Sequence, residues 1–403
     1  MHASTIPRSG HDLQLLQGSR ELFPALVEAI DAAQREVRLE TYIFDVTGQG
    51  AEVAWALERA ARRAVKVRVV VDGFGSHPLP PAWRERFAQA GVEWRVYAPL
   101  GWLGILWLGS WRRLHRKLCV IDGRLAFCGG INILDDFHDP NHGPLEAPRL
   151  DFAIRITGPL VTQMHRTMAQ LWLRMQAIRD MRNMRLADVL GSLRVSGTRK
   201  LDREAAPSGQ PRARAALLLR DNLRNRARIE RAYRRAIGRA RKEIIIANAY
   251  FVPGRKMRRA LVSAAKRGVK VRLLLQGRYE YFMQYYAARP IYGALLRAGV
   301  EIYEYSPSFL HAKVAVIDGR WATVGSSNLD PLSLLLAREA NIVVEDQDFA
   351  AQLRDRLMHA MRDEEQAMDA EDFRNRPLRQ RVMEGIALGL MRLALAVQGK
   401  NYL

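Results

Sequence analysis

A histidine and a lysine two positions apart, set in an apolar and β-branched run, occur twice in this chain: in LHRKLCVIDG from Leu114 and in LHAKVAVIDG from Leu310. Alternate side chains of a strand share a face, so His115 projects with Lys117 and His311 with Lys313. An imidazole beside an ammonium is a poor metal site but a good phosphate site. The lysine offsets charge that builds on oxygen in a transition state, while the histidine attacks phosphorus or moves a proton. Asp122 and Asp318 close the two peptides, and Gly129-Gly130 and Gly325-Ser326 follow. These small residues allow a close backbone approach before Asn132 and Asn328 supply amide donors. A lone His-x-Lys reads as a surface strand; two copies with matched glycine and asparagine do not.

The elements that must position these residues repeat in the same order. VKVRVVVDG (from Val65) answers VKVRLLLQG (from Val269), and AGVEWRVYAP (from Ala90) answers AGVEIYEYSP (from Ala298). A repeat this long is a duplicated domain rather than a solenoid unit. Apolar spacing of three and four in LFPALVEAIDAAQRE and AEVAWALERAARRA predicts helices, and VRLETYIF and VKVRVVVDG predict strands between them. RIERAYRRAIGRARK, EIIIANAYFV, KMRRALVSAAKRG and VKVRLLLQG repeat the alternation, which is that of an α/β fold. The expected division is a first lobe over 1–178, a basic helix end and Gly/Ser/Pro-rich linker over 179–215, a second lobe over 216–370, and an apolar or amphipathic helix over 371–403.

The 403 residues, 48% hydrophobic, suffice for two cores. Two cysteines without a CxxC pair, Cys119 and Cys128, argue against a disulfide framework and a zinc ribbon and fit buried thiols in strands. His138 and His142 lie among acids, but Pro140 disfavours the helix that would align them, so no metal site is expected. No apolar leader opens the sequence, and no run of about 18 apolar residues follows, so neither a signal peptide nor a spanning helix is expected. Lys and Arg number 63 against 42 Asp and Glu, a net charge of +21. That surplus suits a polyanion, either nucleic acid or an anionic membrane leaflet.

The duplicated H-x-K-x4-D followed by G-[GS]-x-N resembles the phospholipase D superfamily. LETYIF, VVVDGFGS, RRLHRKLCVID, FCGGIN and the RDN from Arg220 to Asn222 make it similar, within that superfamily, to bacterial cardiolipin synthases of the type without N-terminal membrane spans. The resemblance implies two pseudo-two-fold-related α/β/α sandwich lobes whose motifs meet in one active site. His115, Lys117, Asp122, His311, Lys313 and Asp318 are then the motif residues, supported by Asn132, Asn328 and Ser326. It implies that one histidine becomes a covalent phosphohistidine, with His115 favoured, that the other protonates the leaving alcohol, and that no metal or other cofactor is needed. An acid after each motif is implied to orient its imidazole: Glu339 for His311, and Asp151 for His115. Asp122 and Asp318 suit strand-end braces better than proton carriers. Gly130 departs from the second lobe, where Ser326 stands.

The substrate class must come from this chain. The first lobe carries an insertion, LGWLGILWLGSWRRL, that runs into His115 and holds no acid. Trp102, Trp107 and Trp111 suit headgroup depth, with Arg112 and Arg113 near lipid phosphates; a nucleic-acid groove would instead scatter its aromatics among polar neighbours. The tail RVMEGIALGLMRLALAVQGK is too short and interrupted to span, so it lies on a membrane interface or packs on the body or a second subunit. The expectation is a phosphatidyltransferase that joins two phosphatidylglycerols into cardiolipin at the cytoplasmic face of the bacterial inner membrane. Its partners would be the anionic membrane and its phospholipids, with no nucleic acid and room for an oligomer. A water-using phospholipase D or a nuclease is the alternative.

Overall fold

The computed structural model describes residues 7–99, 112–182, 213–220, 225, 227–278, 282–330, 337–362 and 367–397. The first lobe runs β1 (Arg8–Gln17), α1 (Gly18–Asp31), β2 (Glu36–Thr41), α2 (Gly50–Arg62), β3 (Lys66–Asp72), α3 (Pro81–Ala90) and β4 (Glu93–Tyr97). The short β5 (Arg113–Leu114), β6 (Lys117–Ile121), β7 (Leu125–Gly129), a small hairpin of β8 (His138–Asp139) and β9 (Gly143–Pro144), β10 (Phe152–Thr157) and the long α4 (Pro159–Arg182) complete it. The second lobe repeats the plan with β11 (Ala213–Arg220), α5 (Arg228–Arg239), β12 (Glu243–Asn248), α6 (Arg255–Lys266), β13 (Lys270–Gln276), α7 (Phe282–Leu296) and β14 (Glu301–Tyr305). It continues with β15 (Lys313–Ile317), β16 (Trp321–Gly325), β17 (Ala337–Glu345) and α8 (Gln347–Arg362), and α9 (Ala370–Arg374) and α10 (Leu378–Val397) follow.

Both lobes belong to one sheet, ordered β14-β13-β12-β15-β16-β17-β11-β1-β10-β7-β6-β2-β3-β4. Read outward from the β11–β1 pair, the two halves are the same sequence of strands, so the pseudo-two-fold axis passes between those two strands. The outer strands, joined through helices, pair in parallel; β6 and β15 turn back antiparallel to β2 and β12 and so carry the His-x-Lys peptides into the middle of each half-sheet. Alternation along β6 and β15 is hidden because both faces of the sheet are covered, leaving Lys117–Ile121 and Lys313–Ile317 buried throughout.

Helices α4 and α8 cover one face across both lobes, with Met164 and Met168 of α4 and Phe349, Leu353 and Leu357 of α8 in a single core. On the other face Leu26 and Ile30 of α1 and Val53 and Leu57 of α2 cover the first half-sheet, and Tyr233, Leu261 and Ile291 from α5, α6 and α7 cover the second. Cys119 and Cys128 are buried thiols on β6 and β7, and burial pushes both up, Cys128 to about 12. Helix α4 ends at Arg182, within the stretch read as a basic helix end, and the second lobe begins earlier than expected, with β11 starting at Ala213 inside the stretch assigned to the linker. The rest of that linker, 183–212, lies outside the described residues.

Helix α10 packs Ala387 and Met391 against α7, and its buried Glu384 pairs with Arg376 at 2.5 Å. Its opposite side leaves Leu378, Val382, Ile386, Leu390 and Leu393 exposed. No helix among the described residues is long and apolar enough to cross a membrane.

His11 sits on β1 at the seam between the lobes and is 1% exposed. Burial pulls its pKa below 6.5, with the Thr157 backbone opposing. The unfolded chain therefore binds this proton more readily than the folded one, so the stability involved is complete above about pH 6.5 and is lost as pH falls toward the depressed value. His11→Gln should shallow the acid loss of stability in denaturant melts taken from about pH 7 to about pH 5. An unchanged slope would show that other groups govern it.

Candidate active site

Backbone pairing between the lobes builds the centre of the molecule. Strand β5, which ends one residue before His115, lies parallel to the start of β17, with Arg113 opposite Ala337 and Leu114 opposite Arg338. The His115 N–H then donates to the Arg338 carbonyl at 3.1 Å. The other half does the same: Leu310 bridges Leu150, and the His311 N–H donates to the Leu150 carbonyl at 2.9 Å. Each histidine is thus stitched to the residue that precedes an acid of the opposite lobe.

The orienting acids are consequently exchanged, which corrects the expectation that each serves its own lobe. His115 Nδ1 lies 3.0 and 3.1 Å from the two oxygens of Glu339, and His311 Nδ1 lies 2.6 Å from Asp151 Oδ2. An Nδ1–H donated to a buried carboxylate leaves Nε2 with its lone pair outward, the tautomer a nucleophile or general base requires. Glu339 and Asp151 are both almost fully buried, while both rings keep some exposure.

The lysines complete the cluster. Lys117 Nζ donates to the carbonyl of His115 at 2.9 Å, and Lys313 Nζ donates to that of His311. The Tyr42 ring packs edge-on against His115, centroids 4.8 Å apart, with the Lys117 ammonium 5.3 Å from its centre. Asn132 Oδ1 accepts from the Ile43 N–H and Asn328 Oδ1 from the Tyr250 N–H, so each amide oxygen is anchored and each NH2 is left as the donor. Burial, then the neighbouring Lys313 charge, pulls Lys117 down to about 7. Burial lowers His115, and burial with both lysines lowers His311 well below its ordinary value. Burial also raises Asp151 to about 7, so the carboxylate beside His311 binds a proton more readily than an ordinary aspartate. The arrangement can hold a phosphodiester anion between two ammonium groups, offer it a neutral imidazole, and deliver one proton.

Asp122 and Asp318 lie away from this cluster. Both have left-handed backbone, φ +52° and +53°, at the turn after β6 and β15. The Asp122 carboxylate accepts from the backbone N–H groups of Gln34, Arg35 and Glu36, and Asp318 from those of Arg241, Lys242 and Glu243. They brace the entries to β2 and β12. Arg113 also differs from expectation: it turns inward, donating to the Ala98 carbonyl at 3.1 Å and toward Asp72 at 3.4 Å, rather than facing lipid. Arg112 is exposed. Trp102, Trp107 and Trp111 lie outside the described residues. Tyr42 drew no role from the sequence, although the LETYIF stretch containing it is among the features carrying the resemblance.

The Gly130 departure has a steric origin. A Cβ there would stand 2.6 Å from Asp151 Oδ2 and closer still to Oδ1, so the short aspartate arm, whose carboxylate rests over the residue-130 backbone, admits only glycine. Glu339 is one methylene longer, and Ser326 Oγ donates to it at 2.5 Å.

A pair of His-Lys motifs, each with its lysine opening a strand and its histidine just before it, meeting at the seam of two related half-sheets, defines a phospholipase D-like protein. The comparisons agree: the family model described as cardiolipin synthase, PLD-like domain, matches residues 26–144 and again 233–361, and the chain belongs to this family. It is 39% identical over 351 residues to cardiolipin synthase B of Salmonella typhimurium and to that of Escherichia coli strain K12, covering 87% of this chain and 80% of each relative. It is 29% identical to cardiolipin synthase A of Pseudomonas syringae, over 87% of this chain and 68% of that protein. Among solved structures, phosphatidylserine synthase of Haemophilus influenzae superposes with a TM-score of 0.66 over 99% of this chain and 97% of that one at 13% identity, a likeness of fold.

Gly130→Ser should push the Asp151 carboxylate off His311 and lower kcat about a hundredfold, the scale of an ångström-sized misplacement. Ser326→Gly removes one hydrogen bond without a clash and should cost about tenfold or less. Equal effects in a steady-state assay would sink the steric account.

Proposed function

We propose that this protein is a peripheral phosphatidyltransferase that makes cardiolipin from two phosphatidylglycerols. The observation that carries the reading is the pair of outward-facing imidazoles, each oriented by the other lobe's carboxylate and flanked by a lysine. The names borne by its relatives supply the product, cardiolipin. His115 Nε2 attacks the phosphorus of the first lipid; the P–N bond forms as the P–O bond to glycerol breaks, and His311 gives the departing oxygen its proton. A hydroxyl of the second lipid's glycerol then gives its proton to His311 and attacks phosphorus, and the P–N electron pair returns to His115. The products are cardiolipin and glycerol. Lys117 and Lys313 offset the charge on the non-bridging oxygens, with Asn132 and Asn328 as neutral donors. His311 suits the proton-carrying role because its partner Asp151, raised by burial, holds a proton more readily than an ordinary aspartate.

The membrane surface is the cytoplasmic face of the inner membrane in this reading. Among the described residues, α10 supports contact with a membrane surface. Leu378, Val382, Ile386, Leu390 and Leu393 form one exposed apolar stripe at helical spacing, with the exposed Arg379, Arg381 and Arg392 beside it. An apolar stripe flanked by arginine on its own helix matches an anionic interface.

Purified protein given phosphatidylglycerol vesicles should release glycerol and form cardiolipin by mass spectrometry, and an acid-quenched sample should carry a phosphatidyl group on His115. An adduct on His311 would reverse the two roles, and hydrolysis of DNA in place of lipid transfer would overturn the reading. Ile386→Asp with Leu390→Asp removes two aliphatic contacts of about 1.5 kcal/mol or more each, so vesicle affinity should drop about a hundredfold. The rate on a short-chain soluble substrate should fall far less. Unchanged sedimentation with vesicles, together with a smaller mass by light scattering, would make the stripe a subunit interface instead.

A further inference from the structure

The lobes repeat their chemistry but not the ground beside it. In the first lobe Asp72 closes β3. One of its oxygens accepts from the N–H of Leu114, the residue before His115, at 2.7 Å; the other is occupied by the N–H groups of Phe74 and Gly75 at 2.8 and 3.2 Å and approached by Arg113. In the second lobe the matching residue is Gln276, at the end of β13. Its Oε1 does the same work, accepting from the N–H of Leu310 at 2.9 Å. Its remaining polar atom, however, is a donor: Gln276 Nε2 is buried and has no acceptor among the described residues.

A second replacement lies on the neighbouring strand. Tyr42, which fills the space against His115 in the first lobe, corresponds to Ala249 in the second, after β12. Ala249 and Gln276 border an open recess, whose lining also includes Arg278, Tyr285, Arg289 and Glu304. Arg289 donates to the Tyr285 hydroxyl at 2.7 Å and to Glu304 at 3.0 Å, yet its Nε is buried without an acceptor among the described residues. Gln276 and Arg289 are each 9% exposed. Buried donors without partners are rare because each costs the desolvation of a polar group, so two in one recess point to a ligand that satisfies them.

The lining also selects the ligand's chemistry. Gln276 and Arg289, each with a buried donor that lacks an acceptor among the described residues, line the recess together with Glu304 and Tyr285, whose oxygens accept from Arg289. A phosphate only accepts and would meet the Glu304 carboxylate, while an acyl chain would leave both donors unpaired. A compound with several hydroxyls both donates and accepts. We propose that this recess is a polyol subsite that holds the glycerol headgroup beside His311, first the one that leaves and then the one that attacks. The assignment rests on the phosphatidyl-transfer reading. The histidine next to Leu310 carries the proton, so the alcohol whose proton it takes or gives belongs on this side. A seated polyol also gives the acceptor hydroxyl its advantage over water.

The test is acceptor competition. Full-length protein with phosphatidylglycerol vesicles is given isotopically labelled glycerol and 1-propanol together, and labelled phosphatidylglycerol and phosphatidylpropanol are counted in the same sample. The ratio is independent of how much protein is folded. The parent should favour glycerol by about tenfold or more, since a site built for hydroxyls rejects an analogue lacking them. Gln276→Glu keeps the acceptor for Leu310 and removes the spare donor; Arg289→Lys removes the other. Each should lower the glycerol-to-propanol ratio about tenfold. A parent that transfers to both alcohols with a ratio neither variant changes would overturn the subsite alone. A parent that transfers to neither alcohol and forms no cardiolipin would overturn the phosphatidyl-transfer reading, and the subsite with it.

Discussion

Everything at the centre of this molecule depends on one exchange: each imidazole is held by a carboxylate from the other half of the chain. The backbone enforces it, because the residue before each histidine bridges the residue before the opposite acid, Leu114 to Arg338 and Leu310 to Leu150. A lobe separated from its partner would keep its histidine and lysine but lose the hydrogen bond that fixes the tautomer. The single sheet follows from this need. Joining β1 to β11 edge to edge, and laying α4 and α8 across both halves, makes the seam part of the core rather than a mobile domain interface.

The same burial sets the charge state. Burial in a poorly solvated centre, and then repulsion from the Lys313 ammonium, pulls Lys117 down to about 7. Burial acts on Asp151 with the opposite sign and brings it to about 7 as well. An empty site is therefore balanced between losing an ammonium proton and gaining a carboxyl proton. A bound phosphodiester removes the imbalance by supplying the missing negative charge, which favours the protonated lysine and strengthens the grip on the anion as it arrives.

Much of this was legible because it is local. The His-x-Lys period, the strand character around it, the matched glycines and asparagines, and the helix–strand alternation all depend on residues near one another in the chain. The helix over Leu378–Val397 was legible for the same reason. Which of its sides is covered depends on the body it meets: Ala387 and Met391 are buried on α7, while Ile386 and Leu390 beside them stay exposed. The exchange of Glu339 and Asp151 was not legible, since sequence distance from each histidine suggests pairing within a lobe and the true partner is chosen by cross-lobe strand pairing. Arg113 reads as basic and interfacial beside Trp111, yet two hydrogen-bonding positions at Ala98 and Asp72 turn it inward. Gly130 looked like a lost hydroxyl; it is a space left for a shorter acid.

That last difference shows how a duplicated site becomes directional. If both halves had kept glutamate, serine and tyrosine, the two histidines would have equal surroundings and either could attack. Instead His115 is backed by Tyr42 and by a carboxylate that Ser326 also holds, a rigid setting suited to a nucleophile that must return to the same place. His311 faces a carboxylate that burial raises to about 7, and in its lobe Ala249, which lines a recess, stands where the first lobe has Tyr42. The proton therefore has a store on one side and the phosphorus an anchor on the other. Small substitutions around an unchanged motif are enough to give two identical catalytic groups different work.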